Sequence, residues 1–188
     1  NVMIDTLRHN LKAALPPADT LGRHGAASNW SERGFAVLTL HRPSNVDDAQ
    51  TLAGLVKVLA DIAKQLPLVF VLHPRTKSKL ESFGLAGLLD PKYIAVLPPQ
   101  GYLEMLGLMA PATLVLTDSG GLQEETTALG VPCLTLRENT ERPITVDEGT
   151  NTMVGRDVNA IRSGVAEILA GRGKRGRVPE LWDGRAAE

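Results

Sequence analysis

Short apolar runs alternate along the chain with longer stretches in which apolar residues recur every three or four positions. The short runs predict buried strands, because a strand covered on both sides carries apolar side chains on both faces. Six such runs lie at residues 35–40, 68–72, 93–97, 113–117, 132–136 and 151–154. The stretches with helical spacing predict helices at residues 48–65, 76–83, 102–109, 121–129, 142–148 and 157–170.

The alternation of strands and helices predicts a parallel sheet with helices on both faces, an α/β fold of the Rossmann-like kind. This domain occupies residues 35–178. Ahead of it, residues 1–17 predict a helix, since apolar residues recur every four positions from Met3 to Leu15 and a proline pair would end it. Residues 18–34 are polar and rich in glycine and serine, and they predict a loop.

The composition narrows the possible partners. Lys and Arg total 20 and Asp and Glu total 21, which leaves a net charge of −1 and no basic field for nucleic acid or an anionic membrane. Cys133 is the single cysteine, so an internal disulfide and a cysteine-rich metal site are excluded. The chain begins at Asn1 without the features of a signal peptide, and its apolar runs are far shorter than the ~18 residues of a spanning helix. We therefore expect a soluble, cytoplasmic piece of a larger protein.

Polar residues gather directly after five of the predicted strands. Ligands of open parallel sheets bind beyond the carboxyl ends of the strands, so these loops are the candidate site. They lie at residues 41–45, 73–75, 98–100, 118–121 and 137–142.

The most informative loop joins a strand to a helix at residues 117–125. Its two glycines let the backbone approach a ligand, and the free N–H groups of a helix start favour a phosphate. Ser119 adds a hydroxyl, and Glu125 lies one turn past Gly121, where it can accept hydrogen bonds from ribose hydroxyls. The alternative is a tight turn in which Ser119 only caps the helix.

The other loops also carry groups suited to phosphate chemistry. His41 can hold a leaving phosphate or move a proton, or it can be a hydrogen-bonded structural residue. His73 precedes a proline that can simply stop its strand. Arg137 and Arg142 suit anion recognition, or they pair with the glutamates of their own loop.

Taken together, these segments resemble the UDP-N-acetylglucosamine 2-epimerase family of the non-hydrolysing type. Residues 118–125 read Asp-Ser-Gly-Gly-Leu-Gln-Glu-Glu and residues 137–143 read Arg-Glu-Asn-Thr-Glu-Arg-Pro, similar to two signatures of the family. Further similar segments lie at residues 1–5, 38–47, 73–77, 99–103 and 182–188. The resemblance spans nearly the whole chain.

Members of this family have two Rossmann-like halves in the glycosyltransferase-B arrangement, with the active site between them. The resemblance implies that this chain is the carboxyl-terminal half and that residues 179–188 begin the helix returning to the other half. The family interconverts UDP-GlcNAc and UDP-ManNAc by eliminating UDP, which leaves a 2-acetamidoglucal, and adding it back. No metal or other cofactor is implied. The chain alone is expected to be inactive, because the proton-transfer residues lie in the other half, and the complete protein is expected to be a homodimer.

The resemblance also implies roles for individual residues. The diphosphate would be bound by Ser119, Gly120 and Gly121, the ribose by Glu125, and the uracil would be flanked by Gln100 and Met105. His41, as the catalytic residue, and Arg142 would face the phosphates and the sugar. His73 falls in a loop that contributes to an activator UDP-sugar site in some bacterial members. Two positions depart from the family pattern, since Ser44 replaces a common Glu and Met105 a common Phe.

Two other functions share most of these features. A hydrolysing relative would release free ManNAc and UDP. A binding module would hold UDP-sugars without turning them over.

Overall fold

In the computed structural model, which describes residues 1–26, 29–180 and 182–184, six parallel strands form one sheet. Their order is β3-β2-β1-β4-β5-β6. β1 therefore lies in the middle of the sheet, with β2 and β3 on one side and β4, β5 and β6 on the other. The strands are β1 (Ala36–Thr39), β2 (Leu68–Val71), β3 (Ile94–Leu97), β4 (Leu114–Thr117), β5 (Cys133–Thr135) and β6 (Asn151–Met153). The predicted α/β class and all six predicted strands are confirmed.

Helices cover both faces of the sheet. They are α1 (Val2–Asn10), α2 (Pro17–Arg23), α3 (Trp30–Arg33), α4 (Pro43–Val46), α5 (Ala49–Ala63), α6 (Pro74–Ser82), α7 (Tyr102–Met109), α8 (Gly120–Leu129), α9 (Pro143–Asp147) and α10 (Val158–Leu169). Short 3₁₀ turns lie at Leu11–Ala13 and Ala86–Leu88. The six helices predicted between and after the strands are confirmed within a few residues at each end. Within the described ranges, every helix is too short or too polar to cross a lipid bilayer.

Side chains that alternate along each strand divide the core into two layers. Leu38 is paired with Phe70 on β2 and Leu116 on β4, and all three contribute to a layer filled by α5, α6 and α10. The neighbouring residue Val37 belongs to the opposite layer, which also includes residues of α2, α3 and α7. Burial on both faces is the reason that the strands are continuously apolar.

The segment before β1 differs from the prediction. The first helix ends at Asn10, not at the proline pair, and is followed by the 3₁₀ turn and by Ala14 in an extended conformation. The backbone at Leu15 then lies directly against Gly107 of α7, where a side chain would not fit. Residues 18–34 are not simply a loop, since they contribute most of α2 and all of α3. Pro17 starts α2 at the first helical position, which proline favours, and Leu21 and Trp30 are buried in the core.

Only part of the predicted returning helix falls among the described residues. Residues 179, 180 and 182–184 are not helical, although Trp182 is buried. The rest of the predicted returning helix, at residues 181 and 185–188, lies outside the described residues. That helix stays a prediction.

Candidate functional site

A cleft of about 230 Å³ opens at the carboxyl edge of the sheet. It is lined by residues from four of the five predicted loops, including His41, His73, Gln100 and Ser119. Met105 of α7 also reaches it. The structure therefore brings together the side chains expected to flank a base, a diphosphate and the leaving group.

Asp118 organises this edge from a fully buried position between β4 and α8. Its carboxylate accepts hydrogen bonds from the backbone N–H of His41 at 3.0 and 3.1 Å and from that of Arg42 at 2.9 Å. It also accepts one from Asn45 Nδ2 at 3.0 Å, and the same amide group donates to the carbonyl of Leu136 at 2.9 Å. The carboxylate thus joins the loop after β4 to the segment after β1, and Asn45 extends the connection to Leu136 after β5.

The ring of His41 is held by the same carboxylate. Its Nδ1 lies 2.9 Å from Oδ1 of Asp118, and about a third of the side chain (34 %) stays exposed. Burial raises the pKa of Asp118, but the hydrogen bonds from the His41 ring and from the backbone N–H groups outweigh it, so the pKa is lowered overall. An anionic Asp118 fixes Nδ1 of His41 as the donor to its carboxylate, so Nε2 is the ring nitrogen left to contact a ligand. The rings of His41 and His73 are 5.6 Å apart.

The start of α8 is open to a ligand. Ser119 occupies the N-cap position, but its side chain makes no capping bond to the helix. Its backbone N–H donates to Thr117 Oγ1 at 2.9 Å, which fixes the turn. A Cβ added at Gly120 would meet nothing nearer than a Glu141 oxygen at 3.7 Å, whereas one at Gly121 would touch Met3 of α1 at 3.0 Å. The geometry does not match the alternative in which the Ser119 hydroxyl caps the helix.

Glu125 lies beside the cleft and not in it. The residue is only 6 % exposed and lines a separate concavity of about 220 Å³ with Tyr102 and three residues of α1. Burial raises the pKa of Glu125, the hydrogen-bond interaction with the Tyr102 hydroxyl lowers it, and the charge of Glu124 raises it, with a net increase. This proximity to Tyr102 and α1 could not be read from the sequence.

Arg142 also lies outside the cleft. Its Nε is 3.0 Å from Oε2 of Glu124, a buried side chain whose other oxygen accepts a hydrogen bond from Asn1 at 2.8 Å. Arg137 instead binds both oxygens of Glu141 at 2.8 Å, as the pairing alternative predicts. The two arginines therefore serve different partners.

The side chain of Gln123 within the α8 motif has a structural role. It is fully buried, and its carbonyl oxygen accepts hydrogen bonds from Thr140 at 2.5 Å and Asn151 at 3.1 Å. This contact ties the loop of residues 137–143 to α8 and β6.

A second concavity of about 410 Å³ lies next to the His41 loop, around Ser44. Three arginines line it, Arg42, Arg137 and Arg156, together with Glu138. Arg156 donates to the carbonyl of Ser44 at 3.2 Å, and Arg42 is 3.9 Å from Glu141. Ser44 is therefore a small neutral residue in a concavity that contains three arginines and one glutamate.

Comparison with known proteins gives a consistent family. The family model described as UDP-N-acetylglucosamine 2-epimerase matches residues 1–188. A UDP-N-acetylglucosamine 2-epimerase of Methanococcus maripaludis is 42 % identical over 172 residues, which is 90 % of this chain and 46 % of that protein. A UDP-2,3-diacetamido-2,3-dideoxy-D-glucuronate 2-epimerase of Pseudomonas aeruginosa is 44 % identical over 126 residues, covering 66 % of this chain and 34 % of that protein.

Among solved structures, the chain is similar to the UDP-GlcNAc 2-epimerase of Methanocaldococcus jannaschii in complex with UDP-GlcNAc and UDP. The TM-score is 0.79 at 36 % identity, and the match covers 98 % of this chain and 51 % of the other. The chain thus spans about half the length of the epimerases from these two archaea.

Proposed function

The chain belongs to the UDP-N-acetylglucosamine 2-epimerase family, and we propose that it is the carboxyl-terminal, nucleotide-binding half of an enzyme that interconverts UDP-GlcNAc and UDP-ManNAc. One observation carries the proposal: His41, oriented by the buried Asp118, shares a cleft with Ser119 at the open start of α8. The reaction would proceed by loss of the C2 proton and of UDP from C1, which leaves a 2-acetamidoglucal. UDP would then add back at C1 and a proton would return to C2 on the opposite face.

The diphosphate would bind at the start of α8. The unpaired N–H groups of the first turn and the helix dipole attract an anion there. Gly120 leaves room for a phosphate beside the backbone, and the hydroxyl of Ser119 is not used as a cap. Gln100, which donates to the carbonyl of Pro98 at 2.7 Å, and Met105 would flank the uracil across the same cleft.

His41 would act on the leaving group. When Nε2 carries a proton it can donate to the β-phosphate, whose negative charge grows as the bond to the sugar breaks. Asp118 balances the positive charge on the ring through Nδ1. Stabilisation that grows towards the transition state accelerates the chemical step, which is why His41 is the proposed catalytic residue.

Glu125 and Arg142 would act from the margin of the cleft. Glu125 is assigned to the ribose, because α8 places it one turn beyond the phosphate-binding glycines. The Nε of Arg142 lies beside the Glu124 carboxylate and Nη1 donates to the carbonyl of Glu141, so Nη2 is the nitrogen assigned to the phosphates and the sugar. His73 stays a proposed contributor to an activator site.

The remaining assignments rest on the family resemblance. They are the non-hydrolysing outcome, a homodimer of the complete protein, a location in the cytoplasm, and independence of metals and cofactors. The 188 residues alone should bind UDP weakly, in roughly the high-micromolar range, and turn over nothing, since half of the family's cleft lies outside them.

The test is product analysis with the intact protein, incubated with UDP-GlcNAc in D₂O and followed by NMR. We expect UDP-ManNAc with deuterium at C2 and no free ManNAc. Free ManNAc together with UDP would identify a hydrolysing enzyme, and unchanged UDP-GlcNAc that nevertheless binds would identify a binding module. The relatives reported above are named as epimerases, which does not favour hydrolysis.

A second candidate substrate follows from the Pseudomonas relative, whose name specifies a diacetamido glucuronate sugar. Arg42, Arg137 and Arg156 outnumber Glu138 in the lining around Ser44, and this excess of positive charge near the His41 loop suits a carboxylate. The same assay with the UDP-linked diacetamido glucuronate decides between the two sugars by their kcat/KM values.

A further inference from the structure

We infer that Tyr102 is a positioning residue for nucleotide recognition, which holds the Glu125 carboxylate in the orientation that accepts the ribose hydroxyls. This inference rests on the proposed function, in which Glu125 binds the ribose. It adds a residue that the family motifs do not assign.

The two side chains face one small concavity from two different helices. Tyr102 opens α7 and Glu125 lies in the second turn of α8. Both line the concavity of about 220 Å³, whose remaining wall is formed by Val2, Met3 and Thr6 of α1. Glu125 therefore faces the same concavity as the phenol of Tyr102 and part of α1.

The concavity adjoins the nucleotide cleft through both helices. Residues three positions apart lie on the same face of a helix. Met105 follows Tyr102 by three positions on α7, and Leu122 precedes Glu125 by three positions on α8. Met105 and Leu122 both line the cleft that holds His41. Tyr102 thus lies one turn of α7 from the proposed uracil contact Met105, and Glu125 lies one turn of α8 from the proposed phosphate site. A ribose that links the uracil to the phosphates would lie near both side chains.

In this pair the Tyr102 hydroxyl is the donor, and the Glu125 carboxylate can accept more hydrogen bonds than one hydroxyl supplies. Burial, together with the charge and hydrogen-bond interaction of Glu125, raises the pKa of Tyr102 to about 12, so the phenol remains a donor at neutral pH. A carboxylate has about four acceptor positions, and a hydrogen bond from the phenol of Tyr102 would occupy one of them. The others remain free for the two neighbouring hydroxyls of a ribose.

A second consequence concerns the charge of Glu125. Burial raises the pKa of this carboxyl, and Tyr102 opposes that increase. Loss of the phenolic hydroxyl should therefore raise the pKa of Glu125 further. Ribose recognition would then begin to fail at a higher pH than in the unchanged protein.

The experiment uses the intact protein with Tyr102→Phe, which removes only the hydroxyl. The matched control is Tyr93→Phe, because the chain has two tyrosines and Tyr93 lines a different concavity, with residues such as Lys57 and Asp61. Calorimetry compares UDP with 2′,3′-dideoxy-UDP for each variant between pH 5 and pH 8. Thermal melts verify that each variant folds.

We expect Tyr102→Phe to weaken UDP binding about fivefold or more, the size of a lost hydrogen bond to a charged group, and to leave dideoxy-UDP binding nearly unchanged. The acid limb of UDP affinity should move to higher pH. Tyr93→Phe should change neither. An unchanged ratio of the two affinities, or an equal loss for both ligands, would overturn the inference while the proposed function stands. An unchanged protein that binds no UDP would overturn both.

Discussion

His41 Nδ1 lies 2.9 Å from Oδ1 of Asp118, a carboxylate with no exposed surface that also receives the backbone N–H groups of His41 and Arg42. The loop after β1 and the turn before α8 are separated by 77 residues in sequence, and this single side chain fixes their relative position. The orientation of the proposed catalytic ring therefore depends on the packing of the sheet edge.

Replacing Asp118 by Asn should destabilise the protein. The side-chain amide would bring an N–H₂ donor to a position that is surrounded by the backbone N–H groups of His41 and Arg42. At least one of these buried donors would then lose its acceptor. We expect a decrease of about 3 kcal/mol in the free energy of unfolding, measured in urea. Asp19→Asn, at an exposed position in α2, should change it by less than about 0.5 kcal/mol. Equal effects of the two substitutions would contradict the structural role of Asp118.

The same carboxylate should contribute to acid sensitivity. Its pKa in the folded protein is below the ordinary value of 3.8, so its contribution to stability is present above that value and is lost as the pH falls through the folded pKa. Stability measured from pH 6 to pH 2 should therefore fall less steeply below about pH 4 in Asp118→Asn than in the unchanged protein. Parallel curves would show that Asp118 has the same pKa in both states.

Much of the fold follows from the sequence, because both faces of these strands are buried and the resulting apolar runs are unmistakable. The five loops were predictable for the same reason, since the ends of parallel strands share one edge. The helices α2 and α3 were not predicted, because their sequence is largely polar and the burial of Leu21 and Trp30 depends on elements distant in sequence.

The sequence indicated which residues belong to the site better than it indicated the contacts between them. Asp118 was visible only as part of a motif, and its role depends on donors 76 and 77 residues away. The pairing of Arg142 with Glu124, and the enclosure of Glu125 by Tyr102 and α1, likewise arise from tertiary packing. Sequence spacing carries no information on such contacts.

Gly120→Ala should separate ligand binding from folding. The structure has room for the methyl group, so the melting temperature should stay within a few degrees. A phosphate approaching the same backbone would meet the methyl group, and UDP affinity should fall about tenfold or more. Gly54→Ala, in an open position of α5, should raise stability slightly and leave UDP affinity unchanged. Unaltered UDP binding by Gly120→Ala would place the diphosphate elsewhere.

Ser44→Glu should stabilise the protein modestly. The new carboxylate would lie beside Arg42, Arg137 and Arg156, which line the same concavity and already pair with Glu141 or Glu138. A gain of about 0.5–1 kcal/mol at low salt is expected, decreasing as salt is added. Ser44→Gln has the same length without the charge and should show no gain. A gain that is independent of salt would mean that the effect is not electrostatic.

The central claim is that His41, held by Asp118, stabilises the departing diphosphate, and steady-state kinetics of His41→Ala in the intact protein test it most directly. The control is His9→Ala, an exposed position on α1. We predict that kcat for the epimerisation of UDP-GlcNAc falls about 100-fold or more in His41→Ala, with a smaller loss of UDP affinity, and that His9→Ala matches the unchanged protein. A kcat that survives in His41→Ala while only KM rises would show that His41 binds ground state and transition state equally, and the claim would be wrong.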